Sequence, residues 1–206
     1  MTIKPTLSLS EGFPFYILLA VLSLSLGSIA CGIPPYVIDE PLAPRSEIAT
    51  ISTAYPIEIT LHSSRGDQTN QELIDGSVGN GANLGPPHDP WVYEGLAKTF
   101  EHAGFQVVED TNGQAPLLIV EVRELRGENR SGIPDDHLGF VASFDVTLQI
   151  PTAQGPLSYE RHFVRTDSSR DTTFNSRHIE RMVHDTLDEV FVEMVQETYS
   201  LLNDHR

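Results

Sequence analysis

The sequence predicts an α+β fold, in which a mostly antiparallel sheet of four to five strands carries two helices on one face. Residues 140–150 alternate strictly between apolar and polar side chains, which is typical of a strand with one buried face. Residues 176–202 repeat apolar side chains at spacings of three and four, and residues 89–105 do so over a shorter length, as amphipathic helices do. A sheet and two helices of this kind bury one shared core.

The first regular element of the domain is a strand that begins at Tyr55, because Ile57, Ile59 and Leu61 alternate with polar residues. Residues 63–87 follow and are rich in glycine and asparagine, so we expect a long loop.

The helix over 89–105 has recognisable ends. Asp89 is predicted to cap it, Pro90 to occupy its first turn and Gly104 to end it. Its buried side is expected to carry Trp91, Leu96, Phe100 and Ala103.

Four further strands are expected, over residues 106–108, 116–125, 140–150 and 157–165. In the last of these, Leu157, Tyr159 and Phe163 should point into the core, and the stretch TAQGP before it predicts a hairpin turn. The polar positions of 140–150 predict a solvated sheet face that could bind a partner: Ser143, Asp145, Thr147 and Gln149.

The closing helix should begin near Asn175 or Ser176 and continue for about 40 Å at 1.5 Å per residue. Because this length exceeds that of a short strand, we expect its C-terminal turns to overhang the sheet. The overhanging end and the loop over 63–87 are further candidate interaction surfaces.

The N-terminal part divides into two segments before the domain at 55–206. Residues 1–30 have a weakly charged start, an apolar run over 13–26 and a small-residue exit, the layout of a secretory signal. Residues 31–54 are rich in proline and predict a semi-extended tether.

The stretch Ser28-Ile29-Ala30-Cys31 resembles a bacterial lipobox, in which the cysteine carries lipid and becomes the mature N-terminus. The resemblance implies lipidation of Cys31, the only cysteine of the chain, and anchoring in a membrane. Gly32, which is not aspartate, implies sorting to the outer membrane, facing the periplasm. The alternative is an uncleaved anchor, since the apolar run extended to Ala30 is eighteen residues long.

Charge and cysteine content exclude several classes of function. Acidic residues outnumber basic ones by 29 to 13, so the net charge of −16 repels phosphate backbones and nucleic acid is not expected as a partner. A single cysteine excludes an intrachain disulfide and a metal site built from cysteine pairs.

No catalytic motif emerges from the titratable residues. His178 and His184 are six apart and cannot form the i, i+4 pair of zinc hydrolases, while His184 and Asp188 are interpreted as part of a solvated helix face. Glu121 and Glu124 should point to opposite faces of their strand, since side chains alternate. The IPDDHLG stretch at 133–139 is interpreted as an exposed acidic turn. The neighbours His62, Ser63 and Ser64 lack an oxyanion hole. We therefore expect no enzyme activity, cofactor or metal.

Four stretches carry a family resemblance: IEITLHSSRGDQTN, LAKTFEHAGFQVV, PLLIVEVREL and TTFNSRHIERMVHDTLDEVFVEM. Together with the lipobox, they resemble the YajG-like family of Gram-negative envelope lipoproteins over roughly residues 50–200. The resemblance implies a lipid signal, a proline-containing tether and a small α+β domain. The expected function is a membrane-anchored, non-catalytic binding or structural module, with an envelope protein or lipid as partner. The alternative is a lipid-binding or transport-auxiliary lipoprotein.

Overall fold

The structure is a computed structural model. It describes residues 36–44, 48, 54–64, 72–74, 82–85, 88–109, 111–130, 137–169 and 176–205. The predicted signal segment and Cys31 lie outside the described residues, as does most of the predicted loop over 63–87.

Eight strands and two helices are described. The strands are β1 (Tyr36–Ile38), β2 (Tyr55–Ser63), β3 (Glu72–Ile74), β4 (Ala82–Leu84), β5 (Phe105–Val108), β6 (Leu117–Arg130), β7 (His137–Ile150) and β8 (Leu157–Ser169). The helices are α1 (His88–His102) and α2 (Ser176–Asp204). Five strands and both helices match predicted elements. The three-residue strands β1, β3 and β4 were not predicted, because so short a segment shows no hydrophobic period.

All eight strands belong to one mixed sheet. Long antiparallel ladders join β6 to β7 and β7 to β8. On its other side, the first half of β6 pairs in parallel with β2, which pairs in parallel with β5, while the end of β6 pairs with β3. From β3 the sheet continues to β4 and β1. Antiparallel pairing dominates by length, and the α+β class is confirmed.

Both helices lie on the same face of the sheet, as predicted. α1 contacts β2 and β5, α2 contacts β7 and β8, and the two helices contact each other. Aromatic rings fill the space between the layers: Phe144 of β7 meets Phe191 of α2 edge to face, with ring centroids 5.9 Å apart, and Phe100 of α1 lies 5.1 Å from Phe105 of β5. We call the opposite face of the sheet, which neither helix covers, the open face.

The predicted end and buried side of α1 are confirmed. Gly104 has a φ of 100°, which favours glycine, and its N–H donates to the Glu101 carbonyl at 2.9 Å. The predicted apolar side chains are all buried: Trp91, Leu96, Phe100 and Ala103. The helix begins at His88, so Asp89 lies in its first turn. A carboxylate at this position interacts favourably with the positive end of the helix dipole.

The predicted overhang of the closing helix is wrong. Leu202 is buried, the Tyr55 hydroxyl donates to Asn203 Oδ1 at 3.1 Å, and the Tyr159 hydroxyl hydrogen-bonds to His205. The physical reason is that β6 and β7 are 14 residues long. At about 3.3 Å per residue they match the length of α2.

One inward position of β8 was also predicted wrongly. Phe163 is buried and Tyr159 half-buried, but Leu157 at the end of the strand is 40% exposed. Two further side chains on this side of β8 are arginines that reach α2. Arg161 Nε lies 2.9 Å from Glu197 Oε1, and Arg165 Nη2 lies 2.6 Å from Glu193 Oε2.

Part of the predicted tether is packed on the domain. Residues 36–44, which we call the strap, contain β1, and Ile38 and Leu42 within them are buried. The Trp91 indole N–H donates to the Glu40 carbonyl at 3.1 Å, and the Tyr36 hydroxyl donates to Glu180 at 3.0 Å. The domain therefore begins before residue 55, because apolar side chains between the prolines reach the core.

We expect Gly95→Ala to lower the free energy of unfolding by about 1–3 kcal/mol. A Cβ at Gly95 would lie 2.5 Å from Leu42 Cβ, so the strap must shift. Without this clash, alanine would stabilise a helix by about 1 kcal/mol relative to glycine. Urea unfolding measures the change.

The control is Leu42→Gly, which removes the atom that the new methyl group meets. In the Leu42→Gly background, Gly95→Ala should be neutral or stabilising. An equal loss in both backgrounds would contradict the proposed packing of the strap on α1.

Candidate functional site

The predicted binding face coincides with the open face. In β7, Asp145, Thr147 and Gln149 are half-buried on this side, opposite the side that packs against α2. Ser143 shares the face but is only 8% exposed, so its predicted solvation is wrong. The cause is its register, which places Ser143 directly between Glu124 of β6 and Val164 of β8.

The register aligns titratable side chains across four strands. His62 of β2 lies opposite Glu121 of β6, Glu121 lies opposite Asp145 of β7, and Asp145 lies opposite His162 of β8. Side chains at directly opposed positions have Cβ atoms about 4.5–5.5 Å apart and can interact. The sheet thus assembles residues that are up to 100 positions apart in the chain.

Hydrogen bonds join three of these side chains and Arg123 into what we call the open-face cluster: Glu121, Arg123, Asp145 and His162. Asp145 Oδ1 lies 2.5 Å from His162 Nδ1, and Asp145 Oδ2 accepts from Arg123 Nε at 2.5 Å. Arg123 Nη1 also lies 2.8 Å from Glu121 Oε1. Arg123 is therefore held between two carboxylates.

A β-bulge at Arg123 creates this arrangement. Val122 pairs with Phe144 and Glu124 pairs with Ser143, so Arg123 is an additional residue in the ladder. Alternation is broken, and Arg123 and Glu124 both face solvent. Glu121 and Glu124 consequently share the open face, and the prediction that they point to opposite faces is wrong.

The open-face cluster lines a shallow depression of about 480 Å³. Its charged and polar lining comprises Glu121, Arg123, Asp145, Thr147, Glu160, Arg161 and His162. With three carboxylates and two guanidiniums, this lining carries a net charge of −1 before His162 is counted. A smaller depression of about 190 Å³ lies further along the open face, between Arg126, Val141 and Thr166.

The electrostatics of the cluster are set by its hydrogen bonds. The bonds from His162 and then Arg123 hold the pKa of the Asp145 carboxyl below its ordinary value. The bond to Asp145 raises the pKa of the Arg123 guanidinium further above its already high value. Both groups are therefore charged at neutral pH, and the cluster offers fixed charges to a ligand.

We expect the stability contributed by Asp145 to depend on pH. Its pKa is depressed in the folded state, so the contribution is present above the unfolded value of about 3.9 and is lost as the pH falls through the folded value. Because the side chain is 39% exposed, we expect at most about 1 kcal/mol. The difference in urea unfolding between the wild type and Asp145→Asn should be full at pH 6 and should shrink as the pH falls below about 4; a difference independent of pH would contradict this.

The prediction that His184 and Asp188 belong to a solvated helix face is wrong. His184 and Asp188 are buried, not solvated, and the His184 ring packs edge to face on Trp91 at 5.9 Å. Ser64 Oγ donates to the Val122 carbonyl at 2.9 Å, which ties it to β6. Residues 133–136 lie outside the described residues. Among the side chains that are described, no three His, Cys, Asp or Glu residues are grouped as metal ligands would be.

The N-terminal predictions concern residues beyond those that the structure describes. Cys31 and the apolar run before it belong to this part of the chain. Neither described helix is both long and apolar enough to cross a bilayer.

Comparisons with known proteins support the fold alone. No protein-family model matches the chain, and no curated protein matches it. Among solved structures, protein XCC0632 from Xanthomonas campestris, of the family DUF330, superposes with a TM-score of 0.59 at 13% identity, over 84% of this chain and 99% of the other. An uncharacterized protein superposes with a TM-score of 0.53 at 11% identity, over 80% and 98% of the two chains.

A weaker similarity is found to the rare lipoprotein B from Shewanella oneidensis. Its TM-score is 0.43 at 13% identity, over 72% of this chain and 99% of the other. These comparisons do not confirm the specific resemblance to the YajG-like family.

Proposed function

We propose that the protein is a lipoprotein of the bacterial cell envelope whose domain binds a protein partner through the open face, without catalysis. Acyl chains on Cys31 are the anchor in this proposal, as the lipobox-like stretch predicts. Gly32 favours the outer membrane, with the domain in the periplasm. The resemblance to the YajG-like lipoproteins supports the same location.

The open-face cluster is the observation that carries the binding part of this proposal. Its side chains come from three adjacent strands, so the sheet holds them at fixed spacing, and rigid elements position binding groups better than loops do. Each side chain is between 36% and 56% exposed and therefore accessible. Charged groups that are already ordered lose little conformational entropy when a partner binds.

The charge of the depression indicates the chemistry of the partner. Three carboxylates, of Glu121, Asp145 and Glu160, outnumber the guanidiniums of Arg123 and Arg161, so a partner surface with lysine, arginine or amide donors is complementary. The net charge of −16 of the whole chain strengthens attraction to a basic surface at long range.

A lipid carrier, the alternative from the sequence, needs apolar space between the sheet and the helices. In the described part of the chain, this layer is occupied by buried side chains, including Phe100, Phe140, Phe144 and Phe191. The two depressions described above lie on the open face instead. Binding of a protein partner is therefore the function that the geometry favours.

Site-specific photocrosslinking in intact cells tests the proposal. A photoreactive residue at Thr147, inside the depression, should give a covalent adduct with an envelope protein. The matched control carries the same residue at Glu101, which is exposed on α1. Adducts at neither position, or equally at both, would contradict the proposal.

Charge reversal provides a second arm of the same test. Asp145→Lys should reduce the Thr147 adduct at least about tenfold, because it breaks the cluster and reverses its charge. Glu94→Lys is the matched control, since Glu94 is also exposed and also loses one ion pair, with Lys98 on α1. An adduct that survives Asp145→Lys unchanged would exclude the open-face cluster as the binding site.

A further inference from the structure

β8 is a long strand at one edge of the sheet. It is 13 residues long, and within the described residues it pairs on one side with β7 alone. An edge strand presents backbone N–H and C=O groups that can pair with another strand. Val164, near its midpoint, is a large apolar side chain that is 44% exposed. The edge therefore combines pairing capacity with an exposed apolar centre.

The sequence of β8 is self-complementary in one antiparallel register. If a two-fold axis passes beside Val164, this residue faces Val164 of the second copy. Arg161 of each copy then faces Asp167 of the other copy, which gives two such pairs. Phe163 then faces Arg165, and Glu160 faces Ser168, so no like charges oppose each other. Opposite charges at directly paired positions stabilise a ladder, and like charges destabilise it.

Most neighbouring registers lack this complementarity. With the axis at Phe163, Arg161 would face Arg165 of the second copy. With the axis at Arg165, this arginine would face Arg165 of the second copy. Moving it to His162 places Val164 against Glu160. With the axis at Thr166, Arg165 would face Asp167, but Val164 would face Ser168 and not its own copy. The charged residues of the edge thus disfavour the other pairings, and contact between the two exposed Val164 side chains favours the axis at Val164.

We infer that β8 pairs antiparallel with β8 of a second copy of this chain around Val164, which joins the two sheets into one. The open face then extends across both copies. This inference is independent of the proposed function, since it requires neither lipid on Cys31 nor a partner at the open-face cluster.

The helices are compatible with this arrangement. Because α2 contacts both β7 and β8, it would lie about one strand spacing, or about 4.8 Å, from the two-fold axis. The distance between α2 and its copy would be twice this, or about 10 Å. Helices pack at about 8–10 Å. Arg161 and Arg165, which already pair with Glu197 and Glu193, would lie beneath the cleft between the two helices and neutralise these facing glutamates.

Cysteine crosslinking tests the position of the axis. Directly opposed residues have Cα atoms about 4.5–5.5 Å apart, within the range of a disulfide. In the full chain carrying Cys31→Ser, Val164→Cys supplies the single thiol and should form a disulfide-linked dimer on mild oxidation. Leu157→Cys, also exposed on β8, is the control and should remain monomeric because residue 157 does not face its own copy.

Charge exchange tests the register without a crosslink. Arg161→Asp and Asp167→Arg each place like charges opposite one another and should raise the dimer dissociation constant about tenfold, by sedimentation equilibrium. The double variant restores opposite charges and should return to within about threefold of the wild type. Glu94→Lys, which also removes one surface ion pair but lies on α1 away from β8, is the control and should change the constant little.

Several outcomes would overturn the inference. One is the combination of two results: the wild-type chain stays monomeric at about 0.1 mM, and the Val164→Cys variant does not crosslink. Equal crosslinking at positions 157 and 164 would exclude the axis at Val164. A dimer that responds to neither charge variant would exclude this register.

Discussion

Replacing Phe144 by alanine is expected to lower the free energy of unfolding by about 3–5 kcal/mol. Phe144 is fully buried, and its ring packs edge to face on Phe191 of α2. The substitution removes a large buried apolar surface and leaves a cavity between the sheet and the helix, where rigid strands on both sides limit collapse. A loss of this size is a large fraction of the stability of an ordinary domain.

Urea unfolding, followed by circular dichroism, measures the effect. Leu157→Ala is the matched control, because this apolar side chain lies in the adjacent strand but is 40% exposed, and it should change stability by less than about 0.5 kcal/mol. A Phe144→Ala loss no larger than that of the control would contradict the packing of α2 on β7.

Replacing Cys31 by serine is expected to move the protein from the membrane fraction to the soluble fraction almost completely. Acyl chains contribute about 0.8 kcal/mol of membrane-binding free energy per buried methylene, and two or more chains anchor a protein stably. Without them, the acidic domain has no membrane anchor. Sedimentation of cell envelopes followed by immunoblotting measures the distribution, and intact mass of the wild type should show an acylated chain that begins at Cys31.

Gly32→Asp is the control for this experiment. It preserves Cys31, so the protein should stay membrane-bound, while the lipobox resemblance implies that it moves to the inner-membrane fraction. A Cys31→Ser variant that sediments like the wild type would instead support the alternative from the sequence, a retained apolar anchor before residue 31.

The parts of the fold that the sequence predicted are those with a sustained period. The alternation over 140–150 predicted β7 and its two faces, and Gly104 predicted the end of α1, because each signal arises from local geometry. The same signals could not predict β1, β3 and β4, whose pairing depends on distant segments of the chain. Prolines in the strap indicated a tether, and only the fold shows that Ile38 and Leu42 reach the core.

The candidate site was predicted in part for the same reason. Asp145, Thr147 and Gln149 follow from alternation within one strand. Arg123 and His162 could be assigned to the site only once the register between strands was known, since nothing local links them to Asp145. His184 and Asp188 show the reverse case: polarity predicted exposure, but both side chains are buried in the domain.

The bulge at Arg123 makes the charge arrangement of the open face separable from the architecture. If this one residue were deleted, Val122, Glu124 and Leu125 would follow one another in regular alternation, with their present partners in β7 unchanged. The hydrophobic interior would stay in place, while the guanidinium that links Glu121 to Asp145 would be gone. Loss of a single codon could thus remove this charge arrangement in an evolving lineage, and its insertion could create it, without a new fold.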